Sequence, residues 1–476
     1  MTEERNIGSS EGRCWFTVHG SHRRRGRLSA FVAGLICLVL AGCAHAPLNQ
    51  MLTEEKVPNQ IGIVPRPADP PSDGVAVVLF FSGGGTRAAA FSYGVLKELS
   101  QTKLPGSPQR RMLDDVEAVG AVSGGSFTAA YYCLYHDRIF QDYEARFLKK
   151  NVERALALRV LNPVAWPKLM SPYYGRSDLA AEYYDQHLFD GAKFGDLAQT
   201  GGRPYLAINA TDMATGEHFV FSSPRFGLIG SDLNAFPIAR AVAASSAVPL
   251  VLTPMTIKNY SGTPGAAQPR FVPRTPGHQV SHRESQILSI LNSYSDSRTK
   301  PYIHLVDGGM ADNLGMQSLI DDTVAAGGVS RLMKLGAMQL PKRLVIIEVN
   351  SAASRGEEWN RREAVPGPLT SILALGDRSG ERADYQTVEA FRDALESWKK
   401  CEREACKTPG GSPDYYFIQV GFDAIANPSD RSFFRSLMTT FTLPDSTVDR
   451  LVAAGGTILR DSPEFKRLMA DLKADR

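Results

Sequence analysis

Read along the chain, apolar positions fall into short unbroken runs separated by stretches of helical period. Gly74-Val-Ala-Val-Val-Leu-Phe-Phe81 is apolar throughout, the pattern of a strand buried on both faces of a parallel sheet. The period then changes to that of a helix over Thr86–Ser100. The pair repeats, with a strand at Val116–Val122 and a helix at Gly125–Tyr135. Further strands are predicted at Pro204–Ala210, His218–Ser222, Pro301–Val306, Arg343–Asn350 and Tyr415–Gly421. Further helices are predicted at Asp178–His187, Phe236–Ala244, Asp312–Ala325, Arg378–Trp398 and Ser446–Ala453. Strands alternating with helices predict an α/β domain with a mainly parallel central sheet flanked by helices.

Two regions depart from this rhythm. Residues 256–300 are rich in Pro, Gly, Gln, Ser and Thr and read as a polar insertion, either a lid or a passive surface excursion, with the passive reading preferred. Residues 44–73 are polar and end in Val64-Pro-Arg-Pro-Ala-Asp-Pro-Pro-Ser72, which reads as a tether. The ordered domain is therefore expected over 74–476, with its core at 74–350 and a C-terminal α/β extension at 351–476.

The N-terminus adds an address. Arg23-Arg-Arg25 and Arg27 precede the apolar run Phe31–Leu40, and Leu40-Ala-Gly-Cys43 follows. A basic region, a short apolar core and a small-residue cleavage site form a secretory signal, here expected at residues 1–42. The last four residues resemble the bacterial lipobox. That resemblance implies lipidation of Cys43, a lipidated tether at 43–73, and, with Ala44 next in the chain, an outer-membrane position facing the periplasm.

Charge excludes one class of partner. The chain has 53 basic and 50 acidic residues and a net charge of +3. Six Arg and three Glu lie before residue 43, so the remainder is neutral and nucleic-acid binding is not expected. Of the six cysteines, Cys133 is expected as a buried thiol. Cys401 and Cys406 lie in a charged segment and are expected to form a local disulfide in an oxidising compartment. No His or further Cys accompanies them, so no metal site and no cofactor are expected.

The candidate chemistry lies at Ala121-Val-Ser123-Gly-Gly125. A serine between a strand and a helix, flanked by small residues, fits a loosened nucleophile turn; the same residues also suit a plain turn. Phe81-Ser-Gly83-Gly84-Gly85-Thr-Arg87 closes the first strand. Its glycines allow backbone N–H groups to converge as an oxyanion hole, although a glycine-rich turn would read the same. Arg87 is a candidate to orient the loop, to contact an anionic head group, or simply to lie on the surface. No phosphate-loop pattern is present. The last histidine is His304, so the late histidine of an α/β-hydrolase is missing. Asp307-Gly308-Gly309 ends a predicted strand and offers a carboxylate base or an ordinary Asp-Gly turn.

In this order, the glycine loop, the serine turn and the late Asp-Gly-Gly resemble the patatin-like phospholipase family. Leu206–Gly216 resembles that family's central strand and turn. Ala239–Pro249 resembles its small-residue helix ending in proline. The resemblance covers about residues 74–350. It implies a patatin-like three-layer fold and an acyl hydrolase acting on membrane lipid. In that enzyme Ser123 and Asp307 form a catalytic dyad and the backbone of Gly83, Gly84 and Gly85 holds the oxyanion. Ala121, Ser82 and Ala88 depart from the family pattern. Two alternatives stay open: a Ser-His-Asp esterase or thioesterase, and a non-catalytic lipid-binding lipoprotein of the envelope.

Overall fold

The computed structural model describes residues 48–53 and 74–475, apart from short segments at 106, 200–202, 269–279, 327, 336–339, 354–362, 364–366 and 405–412. Among the described residues the core is a sheet of eight strands. These are β1 Val75–Phe81, β2 Val116–Val122, β3 Tyr205–Asp212, β4 His218–Phe221, β5 Met255–Lys258, β6 Tyr302–Asp307, β7 Arg343–Asn350 and β8 Asp414–Gly421. Their order is β8-β7-β1-β2-β3-β6-β5, with β4 paired to β3 off this path. The pairs from β8 to β3 are parallel. Strands β4, β5 and β6 join antiparallel.

The apolar runs predict this layering directly. In β1, Val75, Val77, Leu79 and Phe81 face one layer, and Ala76 and Phe80 face the other. The principal helices are α1 Gly85–Gln101, α2 Gly124–Tyr135, α3 Val152–Leu161, α4 Arg176–Tyr184 and α5 Ile238–Ser245. They continue with α6 His282–Ser293, α7 Gln317–Ala326, α8 Pro368–Glu404, α9 Asp445–Asp461 and α10 Pro463–Ala474. The first layer draws on α1, α2, α4, α5, α9 and α10; the second is built from α7 and α8. The fold is thus a mainly parallel sheet with helices on both faces.

Several elements differ from expectation for identifiable reasons. Residues 256–300, of which 269–279 lie outside the described residues, hold two regular elements. They begin inside β5, an edge strand too short to show a period, and continue into α6, whose Ser281 side chain accepts from the Glu284 amide in a capping box. Helix α9 runs past Ala453 to Asp461 because Gly455-Gly456 does not break it. A Cβ on Gly455 would lie 2.4 Å from the Phe91 carbonyl oxygen, and one on Gly94 2.2 Å from that of Val452. The glycines let α1 and α9 touch backbone to backbone.

Part of the expected tether is docked. The Asn49 side chain donates to Ser231 Oγ (2.9 Å) and the Lys258 carbonyl (2.8 Å) and accepts from the Lys258 amide (2.7 Å). The Leu52 amide donates to the Gly230 carbonyl at 2.8 Å. Cys43, the signal segment 1–42 and residues 54–73 lie outside the described residues.

The α1–α9 contact yields a stability prediction. Gly455→Leu forces the two backbones apart and is expected to destabilise the fold by about 1–3 kcal/mol, read as a lower urea midpoint at unchanged slope. An unchanged midpoint would show that the helices can separate freely.

Candidate active site

Parallel pairing brings two loops to one end of the sheet. β1 and β2 end in register, with Phe81 opposite Ala121, so the glycine loop and Ser123 leave the sheet side by side. Ser123 caps α2 with φ 47° and ψ −118°. Non-glycine residues rarely adopt positive φ. The turn that imposes it presents the hydroxyl outward at the strand end. The conformation is held from behind: the Ser123 amide donates to Ser245 Oγ at 2.8 Å, and Ser245 Oγ donates to the Asn209 carbonyl at 2.6 Å. Ser126 Oγ lies 2.9 Å from the same hydroxyl. Sequence reasoning did not single out Ser245. Its only signal was a Ser-Ser pair inside the small-residue run of α5.

Asp307 reaches the site from the other side of β3. Asn209 pairs with Val122, and the adjoining Ala210 pairs with Asp307 on the antiparallel β6. One strand therefore separates two residues that are 184 positions apart in sequence, and Ser123 Oγ donates to Asp307 Oδ2 at 2.8 Å. The other carboxylate oxygen, Oδ1, accepts from the Gly309 amide at 2.8 Å. Thr211 Oγ1 donates to the Asp307 carbonyl at 2.8 Å. The close approach needs Gly308, where a Cβ would lie 2.4 Å from the Asn209 carbonyl oxygen. Both Ser123 and Asp307 are buried. Burial pushes the Asp307 carboxyl up to about 6, with the bonds from Ser123 and Gly309 acting in the opposite sense. A carboxylate so placed is largely ionised at neutral pH and basic enough to take a serine proton.

The glycine loop supplies fewer free donors than expected. The Gly83 amide donates to the Asn313 carbonyl at 3.0 Å, so it is occupied. The amides of Gly84 and Gly85 have no acceptor among the described residues, which leaves these two as the candidate oxyanion donors. Gly85 has φ +60°, and a Cβ there would lie 2.3 Å from the Thr440 carbonyl oxygen. Thr440 also accepts from the Thr86 amide at 2.8 Å. Ser351 Oγ donates to the Gly83 carbonyl at 3.0 Å.

Arg87 is neither a head-group contact nor a surface residue. It is buried, its Nε donates to the Ser351 carbonyl at 2.7 Å, and its Nη1 donates to the Leu437 carbonyl at 2.6 Å. Both bonds tie the glycine loop to segments beyond the core. Of its expected roles, orienting the loop fits this placement.

The remaining candidates stay apart from this cluster. Among the described residues no histidine bonds Ser123 or Asp307. His218 pairs with Asp321 at 3.6 Å and is pushed down to about 4 by burial. His304 contacts Thr256, and His187 contacts the Tyr183 carbonyl. Cys133 is free and buried in α2; burial raises its thiol. The Cys401 side chain and Cys406 lie outside the described residues. Among the described residues no group of acids, histidines and cysteines is placed to hold a metal ion. No described helix is long and apolar enough to cross a membrane.

The clamp assigned to Arg87 is testable by a change that keeps its charge. Arg87→Lys loses the planar fork and leaves buried carbonyls short of donors, so a loss of about 2–4 kcal/mol is expected in chemical denaturation. Unchanged stability would return Arg87 to the surface.

The model of the family described as "Patatin-like phospholipase" matches residues 79–320, just over half of the chain. Solved structures similar to this chain include human GIVD cytosolic phospholipase A2, at 12% identity and TM-score 0.38, covering 94% of this chain and 64% of that one. The same human enzyme in complex with methyl gamma-linolenyl fluorophosphonate matches at 14% identity and TM-score 0.39, covering 93% and 64%. The chain thus spans 64% of the length of these structures. No curated protein matches the sequence. With the family match extending over the strand ends that carry the glycine loop, Ser123 and Asp307, the chain belongs to the patatin-like phospholipase family.

Proposed function

We propose that this protein hydrolyses fatty-acyl ester bonds of phospholipids, with Ser123 as nucleophile and Asp307 as its only base. The observation that carries the reading is the 2.8 Å bond from Ser123 Oγ to Asp307 Oδ2 in a member of a phospholipase family. Asp307 takes the Ser123 proton as Oγ attacks the ester carbonyl, and the amides of Gly84 and Gly85 hold the resulting oxyanion. Collapse of the intermediate breaks the acyl C–O bond, and the Asp307 proton passes to the departing alcohol oxygen. Asp307 then draws a proton from water, whose oxygen attacks the acyl-serine, and Ser123 recovers its proton as the fatty acid leaves. The lack, among the described residues, of a histidine bonded to either member of this pair disfavours the Ser-His-Asp alternative.

We further propose that Cys43 is lipidated at the Leu40-Ala-Gly-Cys43 site and holds the enzyme at the outer membrane, facing the periplasm. In a Gram-negative host fed radiolabelled palmitate, the wild-type chain should take up label and Cys43→Ala should not.

Ser123→Ala and Asp307→Asn should each reduce ester hydrolysis by at least about 10³-fold without loss of folding, and Ser123 should be the residue labelled by a fluorophosphonate probe. Only ionised Asp307 can accept the proton, and its carboxyl is raised to about 6. The rate should therefore climb as pH rises through about 6 and then level. Full activity in Ser123→Ala, or a rate independent of pH between 5 and 8 (a window about one unit or more either side of that midpoint), would remove the proposed dyad. Absence of any labelling would favour a non-catalytic lipid-binding role.

A further inference from the structure

The segment from α3 to α4 carries apolar residues that nothing in the described fold covers. In α3 only Val152 is buried. Leu158, Leu161, Val164, Trp166, Met170 and Tyr173 are exposed, Val164 to 82% and Leu161 to 68%. Isolated exposed apolar residues are ordinary, but a run of six within sixteen positions is a patch with a use.

This segment bridges the two sides of the active site. At one end, the Glu153 side chain accepts from the Phe441 amide at 2.9 Å. Phe441 follows Thr440, whose carbonyl closes on the glycine loop. At the other end, Arg176 donates to the Leu250 carbonyl at 3.1 Å. Leu250 lies five residues beyond Ser245, the support of Ser123. Leu250 and Val251 are themselves exposed, as are Met310, just past Asp307, and Met438, just before Thr440. Three of the segments that build the site, those carrying Ser245, Asp307 and Thr440, thus have an exposed apolar residue close by.

The charge of the segment is equally one-sided. Residues 149–176 contain six Lys or Arg and one Glu, in a chain that beyond its N-terminus is neutral as a whole. Lys149 and Lys168 are paired with nearby carboxylates. Arg154, Arg159 and Arg176 make no ion pair among the described residues. Apolar side chains with a Trp, interleaved with Arg and Lys, suit the boundary between acyl chains and anionic head groups. A water-soluble protein partner would not explain why the patch frames a buried lipid-hydrolysing site.

We infer that residues 152–173, together with Leu250 and Val251, form an interfacial surface that docks the rim of the active site onto an anionic phospholipid bilayer. The inference rests on the proposed hydrolysis of phospholipid. It explains how a buried hydroxyl meets an insoluble ester: the rim enters the interface, and an acyl chain passes to Ser123 without crossing water.

The test uses the full-length chain and vesicles of phosphatidylglycerol with phosphatidylethanolamine, against vesicles of phosphatidylcholine alone. Trp166 emission, isolated as the signal that Trp166→Phe removes, should shift to the blue and be quenched by brominated acyl chains on the anionic vesicles. The signal should be at least about tenfold weaker on phosphatidylcholine. Leu161→Asp/Met170→Asp changes exposed positions only. It should abolish the quenching and lower vesicle hydrolysis at least tenfold, while hydrolysis of a soluble short-chain ester stays within twofold of wild type. Trp166 that remains unquenched in the wild-type chain, or vesicle hydrolysis unaffected in the double variant, would overturn the surface. So would a wild-type dimer that the double variant converts to monomer, since the patch would then be covered by a second copy. Loss of soluble-ester hydrolysis in wild type, with quenching intact, would instead remove the catalytic reading and leave the docking surface standing.

Discussion

One buried hydrogen bond, from Ser123 Oγ to Asp307 Oδ2, sets the terms for the rest of the site. It joins two groups that each carry a penalty. Ser123 is a non-glycine residue at φ 47°, which costs of order 1–3 kcal/mol. Asp307 has its carboxyl raised from 3.8 to about 6 by burial. At about 1.4 kcal/mol per unit, that is of order 3 kcal/mol against the folded, ionised state. The sign follows from the direction of the shift. The folded chain favours the protonated acid, so the penalty is absent below the unfolded value and fully present once pH exceeds about 6. At neutral pH the fold therefore holds its base in the charged form at some expense. The surrounding strands make this tolerable because β1, β2 and β3 are paired along their length and buried on both faces.

That constraint also explains why the chain beyond the family match belongs to the site. A strained turn and a loop of three glycines need fixing from outside, and helix α5 supplies Ser245 behind Ser123. The glycine loop is fixed by Asn313, by Ser351 at the end of β7, and by the Leu437 and Thr440 carbonyls. Except for Ser245 and Asn313, these partners lie outside 79–320. Arg87 is the link between the two parts. Its guanidinium must be buried to bond both carbonyls, which is why it has no surface left for a head group.

The sequence made the strands and the chemistry legible to different depths. β1, β2 and β7 were readable to within one residue because both of their faces are largely buried, so apolar residues dominate each run, with Glu117 in β2 and Glu348 in β7 as the interior exceptions. Ser123 and Asp307 were readable because each sits at such a strand end beside small residues that have no other reason to cluster. Their contact was readable only through family resemblance, since the β2–β3–β6 register that creates it is set by pairing across 184 residues. The engagement of the Gly83 amide, the burial of Arg87 and the role of Ser245 were not legible. Each depends on a backbone carbonyl or amide, and backbone groups leave no mark on residue identity. α6 and the second half of α9 were missed for the opposite reason: the Ser and Asn residues of the one and the Gly pair and Thr of the other carry weak or contrary propensity that tertiary packing overrides.

The docked strap at residues 48–53 bears on how the protein would meet a membrane under the proposed anchoring at Cys43. A free tether from Cys43 to Gly74 would let the domain turn at will. Asn49 instead bonds Lys258 at one end of β5, and Leu250 and Val251 precede the other end of that strand by a few residues. With the proposed acyl anchor at Cys43, six residues reach at most about 20 Å, so the edge carrying β5 would be held near the bilayer. The four residues of β5 span roughly 13 Å, which brings the exposed rim at Leu250 and Val251 within the same neighbourhood. The proposed anchor and the proposed rim would then act as two attachments on one edge of the sheet. A surface whose own affinity is modest becomes effective under such a tie, because the tether replaces a search through solution by a high local concentration. With the proposed anchor at Cys43, the docked residues 48–53 would orient the site relative to the bilayer.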